Sequence, residues 1–210
     1  MTASGAADEE KRLAGEEAAT LVGDGMAVGL GTGSTVAFLL PALAARRLDV
    51  RCVATSPRTE ADAAALGLRL EPFDRLDRLD IAIDGADQVT PDRWLVKGAG
   101  GAHTREKIVA AAADRFVVIV GTDKLVDWIR PPVPLELLPF GLPATLRALG
   151  GARVRPDTPP SPDGGVIADW WQPFDDPAAL AAHLAAVPGV VDHGLFPPEM
   201  VSDVIVGRRA

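Results

Sequence analysis

Four short runs, Met26–Leu30, Arg51–Thr55, Leu79–Ile83 and Phe116–Val120, constrain the fold more than any other feature of the chain. They are rich in apolar residues, and segments with helical patterning lie between them. Glu9–Val22 presents Leu13, Ala14, Ala18, Leu21 and Val22 on one apolar face, following a loose tail over residues 1–8. Val36–Leu43, Ser56–Leu66 and His103–Ala113 supply three more expected helices. Further short strands are expected at Leu68–Leu70 and Trp94–Val96, with Asp74–Arg78 as a charged connection. Strands alternating with helices at this spacing predict an α/β fold built on a doubly wound, mainly parallel sheet.

Beyond the stiff segment Arg130-Pro131-Pro132-Val133-Pro134 the pattern changes. Strands are expected at 133–138, 152–155, 165–170 and 189–196, with helices at 143–149 and 176–187. That order, β-α-β-β-α-β, is the ferredoxin-like α+β unit, with Pro156–Gly165 as its hairpin loop. Asp203–Gly207 reads as a last strand returning to the first domain. The expected organisation is therefore a larger domain of residues 1–130 plus 203–210 and a smaller one of residues 131–202.

Composition narrows the function. A net charge of -8 argues against broad binding to nucleic acid or an anionic membrane, which needs a basic face. One cysteine, Cys52, excludes an internal disulfide framework, and three scattered histidines leave little material for zinc. The N-terminus lacks the basic and apolar regions of a signal peptide, and no apolar stretch approaches the roughly 20 residues of a membrane helix. The expectation is a soluble cytoplasmic protein without a metal.

Chemistry concentrates in three segments. The run Leu79–Ile83 ends in Asp84-Gly85-Ala86-Asp87, two carboxylates at the carboxyl end of an expected buried strand, where ligands bind in open α/β sheets. Lys97-Gly98-Ala99-Gly100-Gly101 and Arg105-Glu106-Lys107 follow closely. An Asx turn and an ordinary loop would use the same residue types, and Glu106 would also suit the first turn of any helix. Third, Gly31-Thr32-Gly33-Ser34-Thr35 joins a strand to a helix N-terminus, an arrangement whose N–H groups and hydroxyls receive anions. Its spacing fits neither a Walker loop nor a dinucleotide fingerprint. The chain has four lysines against seventeen arginines, and Lys11, Lys97 and Lys124 lie at element ends beside these loops. An ammonium differs from a guanidinium in charge density and pKa range.

Together these segments give the chain a resemblance to ribose-5-phosphate isomerase, type A, over residues 9–207. It rests on Gly29–Thr35, Asp84–Asp87, Lys97–Gly101, Arg105–Lys107 and Lys124, with Gly189-Val190-Val191 and Gly194-Leu195-Phe196 near the end. The resemblance implies a Rossmann-like domain carrying a smaller α+β domain, and an aldose–ketose isomerisation of a pentose 5-phosphate with Glu106 as general base. It implies Asp84, Asp87 and Lys97 as further catalytic residues. Thr32, Gly33, Ser34, Thr35, Asp84, Gly85, Ala86, Asp87, Lys97, Gly98, Ala99, Gly100 and Lys124 would contact substrate, with Lys11 near the phosphate. It implies no cofactor or metal, and a homodimer or homotetramer. Gln88 stands where the family usually has Glu, Ala99 replaces a loop glycine, and Pro57 and Arg58 alter the Thr55–Thr59 segment. His103, beside the catalytic motif, reads as a surface or packing residue. Related folds serve amino-sugar-phosphate deaminases, and a sugar-phosphate sensor without turnover is the rival from another class.

Overall fold

The computed structural model describes residues 3–208, with side chains from residue 5. In chain order its elements are α1 (Ala3–Ala19), β1 (Ala27–Leu30), α2 (Val36–Ala45), β2 (Arg51–Ala54), α3 (Pro57–Ala65), β3 (Ile81–Asp84), β4 (Gln88–Val89), β5 (Leu95–Val96) and α4 (His103–Ala111). Then come β6 (Phe116–Gly121), β7 (Val133–Leu137), α5 (Leu142–Leu149), β8 (Ala152–Val154), β9 (Val166–Trp170), α6 (Pro177–Ala185), β10 (Val190–His193), β11 (Leu195–Phe196) and β12 (Asp203–Gly207). They form two compact units. One comprises residues 1–86, 105–125 and 199–210, of which 1–2 and 209–210 lie outside the described residues; the other comprises 87–104 and 126–198. The chain thus changes unit inside the Asp84–Asp87 tetrad and again within α4. By contacts the chain divides differently from the expected domains of residues 1–130 plus 203–210 and 131–202: residues 87–104 and 126–130 group with the second unit, and 199–202 with the first.

The first unit is a five-stranded parallel sheet of order β12-β6-β3-β1-β2. Register explains why it forms. Val28 pairs with Ile81 and Leu30 with Ile83, Ile83 pairs with Val117, and Ile205 with Ile119. Because side chains alternate along a strand, these residues align in rows on one face. There they share a core with Ala14, Ala18 and Val22 of the α1 segment and Val36, Leu39, Leu40 and Leu43 of α2. Ala82, Phe116, Val118 and Val120, of the opposite parity, are buried too. Burial on both faces is what an uninterrupted apolar strand such as β6 requires.

The second unit holds a four-stranded antiparallel sheet, β10-β7-β9-β8, with α5 and α6 in the connections. This is the 4-1-3-2 arrangement expected of the ferredoxin-like pattern. Val133, Leu135 and Leu137 of β7 share a core with Leu149, Leu180, Leu184 and Trp170. Asp176 caps α6 by accepting the N–H groups of Ala178 and Ala179, and Pro177 opens its first turn. A small sheet, β11-β5-β4, completes the unit. Beside it the Gln88 amide donates to the Arg130 carbonyl at 2.8 Å and accepts the Arg130 N–H at 2.9 Å.

Several boundaries differ from expectation. The first helix starts at Ala3 rather than Glu9, so residues 3–8 are helical; the alanines there favour helix. Lys11 therefore lies mid-helix, not at the start. Leu68–Leu70 makes only a single bridge, Leu70 to Cys52. The expected strand 189–196 is two strands, because the Gly194 N–H turns to the Pro134 carbonyl and the chain then pairs with β5. No helix among the described residues is long and apolar enough to cross a membrane.

Cys52 sits in β2 with no exposed surface, and burial pushes its thiol up to about 12. At pH 8 it is a thiol rather than the reactive thiolate. We expect no labelling by a chromogenic disulfide reagent in native buffer and one equivalent in denaturant; prompt native labelling would contradict this packing.

Candidate active site

The order β2-β1-β3-β6-β12 reverses direction of growth between β1 and β3. In open parallel sheets the crevice for ligands opens at the carboxyl ends of the strands flanking such a switch. Here those ends are Leu30-Gly31-Thr32 and Asp84. The Gly31 N–H donates to the Ile83 carbonyl at 2.9 Å, extending the ladder one residue past β1. Asp84 is 3% exposed, and its Oδ1 accepts the N–H of Thr32 at 3.0 Å and of Gly85 at 2.7 Å. A buried carboxylate needs such donors to remain charged. The approach leaves room only for glycine at position 31, since a Cβ there would lie 1.9 Å from Asp84 Cγ.

Thr32 has a second set of partners. Its hydroxyl donates to Ser56 Oγ at 2.8 Å and lies 2.8 Å from Thr55 Oγ1. Thr59 Oγ1 donates to the Gly31 carbonyl at 2.9 Å, and its N–H donates to Ser56 Oγ at 3.2 Å, the cap of α3. These buried hydroxyls brace the Gly31–Thr35 loop from behind. Arg58 keeps its side chain 85% exposed, so the altered Pro57-Arg58 pair leaves this bracing intact. At the loop's other end the Ala37 N–H closes the first turn of α2 on the Gly33 carbonyl. Gly33, Ser34 and Thr35 thus lead the chain into a helix N-terminus, where the dipole favours an anion.

Glu106 lies in the first turn of α4 and is 5% exposed. Past the helix end, the Ala112 carbonyl accepts the Leu79 N–H at 2.9 Å, fixing α4 to the lead-in of β3. Lys124 occupies the turn Thr122–Lys124 after β6, with its ammonium 3.2 Å from Asp123. Glu10 of α1 reaches that turn, its Oε2 accepting both the N–H and the hydroxyl of Thr122 at 2.7 Å. The neighbouring Lys11 pairs with Asp8 at 3.2 Å.

In the second unit Asp87 does for a glycine-rich loop what Asp84 does in the first. Its Oδ2 accepts the Ala99 N–H at 2.9 Å, and its own N–H donates to the Val96 carbonyl at 2.7 Å. Lys97 is 3% exposed, and its Nζ stands 5.6 Å from the centre of the Phe196 ring. A cation over a ring face gains about 2 kcal/mol when desolvated, which offsets part of the cost of its burial. Gly98 has φ +114°, and a Cβ would come 2.7 Å from both His103 Nδ1 and Pro134 Cβ, so no other residue fits. His103 is fully buried, in keeping with a packing role. Ala99 is exposed and held through its backbone, so the methyl group leaves the loop's hydrogen bonds in place.

Sequence reasoning did not single out Glu10, which places the Lys124 turn, or Arg155. The Arg155 guanidinium donates to the carbonyls of Gly98 at 3.1 Å and Ala99 at 2.9 Å. Neither carries a local signal; the contacts span long stretches of chain. Among the described residues no group of three or more His, Cys, Asp or Glu could hold a metal ion.

Gly31→Ala is expected to displace Asp84 and destabilise the protein by about 1–3 kcal/mol, the usual cost of forcing atoms into a filled site. Urea unfolding reads this directly; an unchanged midpoint would mean that Asp84 moves freely.

Residues 51–210 match the family Ribose 5-phosphate isomerase A (phosphoriboisomerase A). The chain is 47% identical over 202 residues to Ribose-5-phosphate isomerase A of Roseiflexus castenholzii, covering 89% of this chain and 86% of that one. Among solved structures it is similar to ribose 5-phosphate isomerase A from Methanocaldococcus jannaschii, with TM-score 0.89 and 37% identity over 95% of this chain and 94% of the other. It is also similar to a D-ribose-5-phosphate isomerase in complex with phospho-erythronic acid, with TM-score 0.91 and 35% identity over 97% and 96% of the two chains. A glycine loop braced at a parallel-sheet switch point, a buried Glu in the Arg-Glu-Lys turn and similarity along nearly the whole chain lead to one assignment: this protein belongs to the ribose 5-phosphate isomerase A family.

Proposed function

We propose that this protein interconverts D-ribose 5-phosphate and D-ribulose 5-phosphate through an enediolate, as a cytoplasmic enzyme of the non-oxidative pentose phosphate pathway. The observation that carries the reading is the carboxylate of Glu106, 5% exposed in the first turn of α4 within a chain of this family. In the forward direction Glu106 takes the C2 proton of the open-chain aldose. The electron pair forms the C1–C2 double bond, negative charge gathers on the C1 oxygen, and the same proton returns to C1 while the O2 proton passes to O1. A base shielded from bulk water keeps the proton it has taken.

The remaining residues take roles consistent with their settings. Lys97 stabilises the developing oxyanion. Asp84 and Asp87 hold substrate hydroxyls. Thr32–Thr35, Gly85, Ala86, Gly98–Gly100 and Lys124 contact substrate, and Lys11 lies near the phosphate, which the N-terminus of α2 suits. The similarity to the phospho-erythronic acid complex supports this reading. Such an acid carries a planar anionic carboxylate at the end of a phosphorylated polyol, as the enediolate carries planar anionic oxygen. Glu106→Gln should lower kcat by about 10³-fold or more, at the upper end for loss of a general base, with the far-UV spectrum unchanged. Ribulose 5-phosphate formation from ribose 5-phosphate reads it; near-full activity in the variant would remove Glu106 from the mechanism, and binding without conversion by the parent would indicate a sensor.

Assembly belongs to the same proposal. In the smaller domain, residues 131–202, Phe140 is 93% exposed, and Leu138 and Val191 are also exposed. Aromatic and aliphatic groups left open together mark an interaction surface, here for a second copy in a homodimer or homotetramer. Phe140→Asp should shift light-scattering mass toward a smaller species; an unchanged mass would place the interface elsewhere.

A further inference from the structure

Arg155 follows β8, its own N–H continuing the ladder to the Ile167 carbonyl at 2.9 Å. Its guanidinium makes four hydrogen bonds: Nε to Asp169 Oδ2 at 2.8 Å, Nη2 to Asp169 Oδ1 at 2.6 Å, and Nη1 to the carbonyls of Gly98 and Ala99 at 3.1 and 2.9 Å. The Asp169 fork fixes the plane of the group, and both side chains are largely buried, at 19% and 10% exposure. Pairing with Asp169 raises the Arg155 pKa further, with a smaller contribution from Asp87, so the cation is permanent.

Two successive carbonyls turned toward one cation determine two peptide planes. In a trans peptide the N–H points opposite the carbonyl. The Gly98–Ala99 plane therefore sends the Ala99 N–H away from Arg155, and it meets Asp87 Oδ2. The Ala99–Gly100 plane likewise turns the Gly100 N–H away from the cation, at an exposed residue. We propose that Arg155 is a positioning residue for the reaction: it sets the Lys97–Gly101 loop through these two carbonyls, so that Asp87 is held on the Ala99 N–H and the Gly100 N–H is presented as a donor to a substrate oxygen. This rests on the isomerase reading above. A lysine cannot replace the arginine, because one ammonium cannot grip both Asp169 oxygens and both carbonyls in a single plane.

The test compares Arg155→Ala and Arg155→Lys with the parent, assaying ribose 5-phosphate conversion with and without millimolar methylguanidinium. Amide hydrogen exchange at Ala99 is followed in the same proteins. Loss of loop geometry should lower kcat by about 10–100-fold in Arg155→Ala, with about tenfold recovery on adding methylguanidinium, no such recovery in Arg155→Lys, and Ala99 exchange faster in both variants. Recovery by a diffusible guanidinium is a result that a general weakening of the fold would not give. Parent-like kcat in both variants would overturn the proposal, as would a loss that methylguanidinium leaves untouched while Ala99 exchange stays at the parent rate. Should the parent itself fail to convert ribose 5-phosphate, the isomerase reading falls, and Ala99 exchange alone decides whether Arg155 sets the loop: faster exchange upholds that part, an unchanged rate overturns it.

Discussion

The carboxylate of Asp84 is the constraint on which the first unit's site depends. A charge buried at the end of β3 is tolerable only with donors close by, and the chain supplies two backbone N–H groups within 3.0 Å. Bringing them there forces glycine at position 31, fixes the exit of β1, and leaves Thr32 facing the buried hydroxyls of Thr55, Ser56 and Thr59. The second unit uses the same device with Asp87 and Ala99, reinforced from the far side by Arg155. In both, an acid orders a glycine-rich loop by holding its amides, so the acids are structural to the loops as well as candidates for chemistry.

Much of this was legible in the residues. Strand and helix alternation located β1, β2, β3 and β6, and the ferredoxin-like order emerged from the later pattern, because apolar periodicity directly reflects burial. The tetrad Asp84–Asp87 and the Lys97–Gly101 loop were visible because acids and glycines at strand ends are unusual in a core. Other features were hidden for physical reasons. The two-residue strand β4 is too short to carry a period. The break at Gly194 depends on a pairing partner, Pro134, sixty residues upstream. The start of α1 depends on propensity in an alanine-rich stretch rather than on an apolar face. Arg155 resembles every other arginine in this arginine-rich chain, and only the hairpin that carries it gives it a task.

The sparing use of lysine gains a physical basis at one position. Lys97 is the lysine enclosed by the fold, stacked on Phe196, where a compact head group fits within 5.6 Å of the ring centre. Lys11 and Lys124 are paired with near neighbours in sequence, Asp8 and Asp123, and remain partly open to water. Their ammonium groups are held by single carboxylates near the surface, whereas that of Lys97 is enclosed.

The amide of Gln88 has a wider consequence. It faces the Arg130 backbone as a strand would, giving one hydrogen bond and taking another. A glutamate there has only acceptors when ionised and would confront the Arg130 carbonyl with like polarity, so it could complete both bonds only by taking up a proton. With glutamine the strap forms without any proton exchange. The two bonds that hold the segment ahead of β7 to β4 are thereby independent of any titration at position 88.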